Sequence, residues 1–493
     1  MDTIPMEIPA DLEPPMDDGD IQALVRAEAE DAINFIEEWI APQRANALKS
    51  YRGDLYGNEE EGRSKVVSRD VRDAVQSILP SLMRVFFSSE NAVEYVPRGP
   101  EDIEAAEQAT EFVNKLILED NNGVETFYTV FKDSLISKVG IVKYFVDESV
   151  EVGYHDFTGL DDAALGLVMQ EPGTSIASIE SNVGGSASSP MLLHDVSVKR
   201  VRQAPRIRIM PVPGEEFLID RTARDVDSAY YVGHRQYMAV ADLVALGYDR
   251  DEVEGHITNT DQALRNPDVY ERYAKVGGYF PDDPSNDEER KVLYVEHYVR
   301  VDWDGDGIAE LRRICTMGDG YEVVSNEPCW ERPFAVFCPD PEPHTFWGSD
   351  VADLTTDLQK INTNIKRAIL DSLALAIHPR MAYVAGMVEV SDLENTEMGA
   401  LIEQEAPGMV TPLAVPFVGR EALSVLEMLE REKDRRVGTH NIALDADALQ
   451  STTASAVDAQ VDSGRQRLEM IARLYAEGGM KRLFRGLLRL ARA

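Results

Sequence analysis

The chain has 493 residues, 44 % of them hydrophobic and 28 % charged, and a formal net charge of −39, enough for two or three domains with sizeable cores. That charge excludes a protein that grips DNA through its general surface, because phosphate binding needs cation-lined sites; it suits either high solubility or a surface past which DNA slides without sticking. No run approaches the roughly 18 apolar residues of a membrane span, and three cysteines (Cys315, Cys329, Cys338) without zinc spacing fit a reducing compartment.

Residues 1–20 carry seven acids and no Lys or Arg, unlike a signal or transit peptide, so 1–19 read as an exposed acidic arm and a candidate for disorder. A helix is expected over 20–51, with Ile21, Leu24, Val25, Ala32, Ile33, Ile36 and Ile40 on one face. Turns near Gly53 and Gly57 lead to a second helix through Ile78 to Leu82. The pattern then predicts a strand at 92–97, helices at 102–119 and 127–139, and a strand at 141–154. Residues 159–190, with Gly173, Gly184-Gly185 and Ser186 to Ser189, read as a loose insertion or linker. Strands follow within 191–237, a short helix at 240–246, and strands again at 292–301 and 308–316, so the first ~345 residues read as one mixed α+β body.

The sharpest local motif is Asp302-Trp303-Asp304-Gly305-Asp306-Gly307-Ile308-Ala309-Glu310. Carboxylates at Asp302, Asp304, Asp306 and Glu310, with the Ile308 carbonyl, suit a calcium ion; the same residues also suit a tight acidic turn. Arg313 stands where an EF-hand has its last Glu, which departs from that pattern.

From Gly348 the organisation changes. Apolar residues at Val351, Leu354, Leu358, Ile361, Ile365, Ile369, Leu373 and Ala376 alternate steps of three and four, one helical stripe that Pro379 ends. Ser349 is placed to cap it. Short strands at 381–384 and 409–417 follow, then a returning helix over 420–437 with Leu423, Leu426 and Leu429 inward, a small-residue loop at 439–454 and a further helix from about 455. Gly464 to Ala493 hold eight Lys or Arg against two acids. That basic stretch fits contact with nucleic acid or an acidic neighbour, or simply the solvated face of a core-packed helix. There is no phosphate loop, zinc-protease helix or nucleophile elbow, and the eight histidines are scattered, so catalysis is not expected.

Taken in order, Gly62-Arg63-Ser64-Lys65-Val66-Val67 with Pro80-Ser81-Leu82, Phe346-Trp347-Gly348-Ser349-Asp350, His378-Pro379-Arg380, and Leu444-Asp445-Ala446-Asp447 leading to Thr453-Ala454-Ser455 resemble the portal protein of tailed bacteriophages, particularly the short-tailed type. The resemblance spans about residues 20 to 480. It implies an α+β portal fold: a wing at 20–348, stem helices at 349–378 and 420–438, a β-containing clip at 379–419, a tunnel loop at 439–455 and the start of a helical crown at 456–493. It implies a ring, normally a dodecamer, at one capsid vertex of the virion, assembled in the bacterial cytoplasm. Its partners would be double-stranded DNA in the channel, terminase, major capsid and scaffold proteins and tail adaptors, with no membrane and no required cofactor. Leu354, Leu358, Ile361, Ile365, Leu423 and Leu426 would hold the stem together, and Asn441, Asp445, Asp447, Gln450, Ser451, Thr452 and Thr453 would face DNA. Many relatives extend past this point as a helical barrel. A calcium-dependent binding or adhesion module, resting on the Asp302 loop, is the alternative from another class.

Overall fold

The computed structural model describes residues 16–492 except 90, 187–188, 204, 259–265, 275–286, 306, 396, 398, 414–415, 418 and 439–465. Most of the acidic arm, Asp306 and the whole loop 439–455, with its seven candidate DNA-facing residues, therefore lie outside them. Of the described residues 47 % are helical and 24 % strand, with helices and antiparallel strands in separate runs, and the fold is α+β as expected.

Helix α1 (Asp18–Phe35) starts where the Asp17 side chain accepts the Asp20 amide. It continues through a π-helical turn (Ile36–Ile40) into α2 (Ala41–Arg52), which ends at Gly53. Then come α3 (Asp70–Phe87), α4 (Ile103–Lys115) and α5 (Gly123–Ile136). Strands β1 (Gly140–Asp147) and β2 (Val150–Leu160), helix α6 (Asp162–Met169), and strands β3 (Thr174–Ser186), β4 (Ser189–Gln203), β5 (Arg206–Val212), β6 (Phe217–Ile219) and β7 (Tyr231–Ala239) follow. Short helices α7 (Val240–Ala245), α8 (Arg250–Gly255) and α9 (Pro267–Ala274) precede β8 (Lys291–Val301), β9 (Glu310–Met317), β10 (Glu322–Pro328) and β11 (Phe334–Phe337). The long helix is α10 (Val351–Ile377), followed by β12 (Arg380–Tyr383), α11 (Val390–Glu394), β13 (Val410–Leu413) and α12 (Gly419–Val437). After the loop, residues 466–475 form α13, which passes through a π-helical turn (Ala476–Met480) into α14 (Lys481–Leu490).

The strands make a five-stranded sheet, β10-β9-β8-β7-β6, two three-stranded sheets, β11-β1-β5 and β2-β4-β3, and the pair β12-β13. Two expectations fail. Residues 92–97 are not a strand, because α4 takes their hydrogen bonds: Asn114 Oδ1 accepts the Ala92 and Val93 amides (2.7 and 3.1 Å) and Thr110 Oγ1 the Tyr95 amide (2.9 Å). Residues 159–190 are not a linker; β3 pairs with β4 from Thr174↔Arg200 to Ser186↔Ser189. Gly184, Gly185, Ser186 and Ser189, which read as breakers, pair at the far end of that hairpin.

The largest core joins α3, α5 and the β11-β1-β5 sheet to the C-terminal helices. Phe131, Phe337 and Tyr475 meet with ring centroids 4.9–5.6 Å apart, an aromatic knot that ties α13 to the body. Val351 and Val437, the body-side ends of α10 and α12, enter the same core. A second core lies between α1 and one face of the five-stranded sheet, and a third against the other face. Among the described residues no helix is long and apolar enough to cross a membrane.

Candidate assembly surface

Helix α10 begins at Asp350, not Ser349. The Asp350 carboxylate accepts the Asp353 amide (2.8 Å) and Asp353 accepts the Asp350 amide (3.2 Å), a reciprocal capping box, while Ser349 Oγ donates to Glu342 (3.0 Å). Gly348 before it lets two strands of chain meet: a Cβ there would lie 2.4 Å from the Asp340 carbonyl oxygen. Burial, and then the charge of Asp353, pushes the Asp350 carboxyl up to about 7.

The face that α10 turns to the body is largely polar. Thr355, Gln359, Asn362, Thr363 and Arg367 are buried there. Gln359 accepts the Val71 amide (3.0 Å) and donates to the Ser50 carbonyl (2.9 Å), and Thr363 Oγ1 accepts the Ser68 amide (3.0 Å). Arg367 donates to the Val66 carbonyl (2.8 Å), Asn58 (3.0 Å) and Glu59 (2.5 Å), and Asp371 accepts the Ser64 amide (2.7 Å). Residues 58–71, which carry no regular structure before α3, thus have their backbone groups met by side chains of the long helix, as buried amides require. At the centre sits Asp70, which accepts from Ser68 (2.7 Å), Asn362 (3.1 Å) and Lys433 of α12 (3.3 Å). Burial raises its carboxyl, but those bonds and the Lys433 and Lys366 charges outweigh it and hold the group below the usual carboxylate range. Further toward the body, Arg436 clamps the helices together by donating to both oxygens of Asp357 (2.8 and 2.7 Å).

The apolar stripe read from the sequence divides. Leu358 is buried inside the chain (1 % exposed), so its expected role between subunits is corrected: it serves the protomer's own packing. Leu354, Ile365 and Leu426 are half-covered. Ile361 (45 %), Leu373 (39 %) and Leu423 (58 %) stand open, and the expectation that Leu423 points inward fails. The small β unit adds Met381, Tyr383, Val384 and Leu401 to this open surface. In all, residues 361–428 contribute 16 of the 41 exposed large apolar side chains among the described residues, a concentration that marks an interaction surface. The signal for this split was in the sequence: Gln359, Thr363 and Arg367 recur at steps of four on the flank of the stripe.

The other candidates separate cleanly. In the Asp302 loop the two carboxylate oxygens of Asp302 accept the Gly305 and Gly307 amides (2.8 and 2.9 Å), and Glu310 accepts the Trp303 amide (3.2 Å). Gly305 and Gly307 have φ of 75° and 84°, values that favour glycine. These bonds suit a tight acidic turn; Asp306, one of the four expected ligands, lies outside the described residues, among which no three His, Cys, Asp or Glu side chains are grouped to hold a metal ion. The basic C-terminal helix packs on its own chain's core through Leu483, Phe484 and Leu487.

The chain matches the family model described as Phage SU10 portal protein over residues 21–493, and it belongs to that family. It is therefore a phage portal protein, part of a head–tail connector oligomer and a component of the virion. No curated protein matches it.

Proposed function

We propose that the chain closes into a ring, a dodecamer, at one capsid vertex, through which double-stranded DNA is packaged with the terminase, retained, and later ejected toward attached tail adaptor proteins. In this reading 20–348 form the wing, 349–378 and 420–438 the stem, 379–419 the clip that faces terminase and then the tail adaptors, 439–455 the tunnel loop and 456–493 the crown. Major capsid and scaffold proteins surround the wing, assembly takes place in the host bacterial cytoplasm, no cofactor is required, and the chain is not an enzyme.

The observation that carries the proposal is the uncovered apolar surface along distal α10, α12 and the β12-β13 unit in a chain of the portal family. A ring needs each protomer to offer such a surface to a different surface of its neighbour. The net charge of −39 supports the channel role, since an acidic lumen repels phosphate and keeps DNA from sticking. The tunnel-loop segment, with Asp445 and Asp447 as its two Asp/Glu/Lys/Arg charges and small residues around them, lacks the cations that would hold a duplex. The test is the native mass of the purified protein together with negative-stain images. A closed ring with a central hole is the expected result; a monomer or dimer at micromolar concentration in several salts would overturn it.

A further inference from the structure

A groove of about 1000 Å³ lies between the C-terminal helices and residues 224–227, with Leu311, Val336 and Phe346 among its apolar lining. Eight Lys or Arg line it against four acids, a local formal charge of +4 in a chain of −39. Part of that charge is matched in place: Arg482 pairs with Asp227, Arg489 with Glu331 and Lys481 with Glu477. Arg224, Arg473 and Arg485 are exposed, and no described carboxylate lies within ion-pair distance of any of them. Burial, and then the charges of Arg300 and Arg482, push the Arg332 guanidinium below its ordinary value, a sign of crowded cations. Trp330 stands fully exposed at the same groove.

We propose that this groove receives residues 1–15 of a neighbouring copy of the chain. That segment brings four carboxylates (Asp2, Glu7, Asp11, Glu13) and no Lys or Arg to a surplus of four positive charges. Ile4, Met6, Ile8 and Leu12 suit the apolar lining, and Pro5, Pro9, Pro14 and Pro15 favour the extended form that docks on exposed aromatic rings. The neighbour's groove is the fitting one because the described chain starts on the wrong side of its own. Helix α1 covers the face of the five-stranded sheet that carries Val295, Val299 and Ile314, and Gln22 donates to the Gly320 carbonyl (2.8 Å) at the β9–β10 turn. Leu311 of the groove lies on the other face, at the other end of β9. Fifteen extended residues reach about 50 Å.

The inference rests on the oligomeric reading above. The test uses the full chain with a photo-crosslinking amino acid in place of Ile8, assembled from isotope-labelled and unlabelled copies, with peptide mapping and sedimentation on the same sample. Expected are cross-links from position 8 to peptides spanning 473–489 that join labelled to unlabelled chains, with most of the yield lost in R473E/R485E. Cross-links confined to single chains, or an assembled sample with none in the groove, overturn this inference alone. A sample that stays monomeric overturns the oligomeric reading with it. If short double-stranded DNA binds the wild type, is lost in R473E/R485E, and position 8 gives no groove cross-link, the groove is a nucleic-acid site and the proposal fails.

Discussion

The two halves of α10 differ in what they face, although one periodicity runs through both. From Val351 to Arg367 the helix lies against the body and buries amides, hydroxyls and a guanidinium that complete the hydrogen bonding of residues 58–71. Beyond it, Leu370, Leu373 and Ile377 are open. Helical spacing alone makes both halves look like one amphipathic rod, whereas contact with another segment decides which flank becomes interior. The proximal half teaches that a buried helix face can be polar when its partner is an irregular loop with unpaired backbone groups. The distal half teaches that an apolar stripe can be left for another molecule.

Four changes would break or sharpen this comparison. Leu358→Pro, in the buried proximal half, should cost about 3 kcal/mol or more by removing a helical hydrogen bond and straining the turn before it. Circular dichroism and sedimentation should then show lost helix and no assembly; wild-type assemblies would mean that α10 is not needed intact. Gln359→Ala leaves the Val71 amide without a partner and the Ser50 carbonyl with only the Gly53 amide, at a cost of about 1–3 kcal/mol. Its signature is a lower melting temperature with faster hydrogen exchange at Val71, while oligomers still form below that temperature.

Smaller still for the protomer, Ile361→Lys with Leu373→Lys should change its stability by no more than about 0.5 kcal/mol per site, because both side chains are already exposed. The same pair should abolish assembly, read by native mass. An oligomer of unchanged mass would show that the open flank of α10 is not a contact between copies. A pH-dependent effect is expected at the helix start. Asp350 has its carboxyl raised in the folded chain to about 7 from an ordinary 3.8. Its contribution to stability is therefore fully present below about 3.8 and is lost as pH rises through about 7. Asp350→Asn should remove that decline, so melting curves of variant and wild type should diverge as pH is raised from 4 to 8; parallel curves would sink the assignment. Asp70, held below its ordinary value, has the opposite sign, losing its contribution only as pH falls below about 3.8.

The long helix and its return were legible because each satisfies a local rule: α10 has an apolar repeat, a capping box and Pro379 just beyond its end, and α12 has a repeat ending at Gly438. Class and family were legible for the same reason, since the order of such elements survives without any tertiary contact. What only the tertiary structure decided concerns partners distant in sequence. Residues 92–97 have β character, yet Asn114 and Thr110 claim their amides. Gly184 and Gly185 read as a linker, yet β4 lies within reach and pairs with them. Leu358 and Ile361 are one helical turn apart in the same stripe, yet one is interior and the other open, because the body covers the flank of α10 that carries Thr355, Gln359, Thr363 and Arg367 and leaves the flank of Ile361 bare. Spacing sets which side chains share a face, and it says nothing about what that face will meet, since that depends on segments hundreds of residues away.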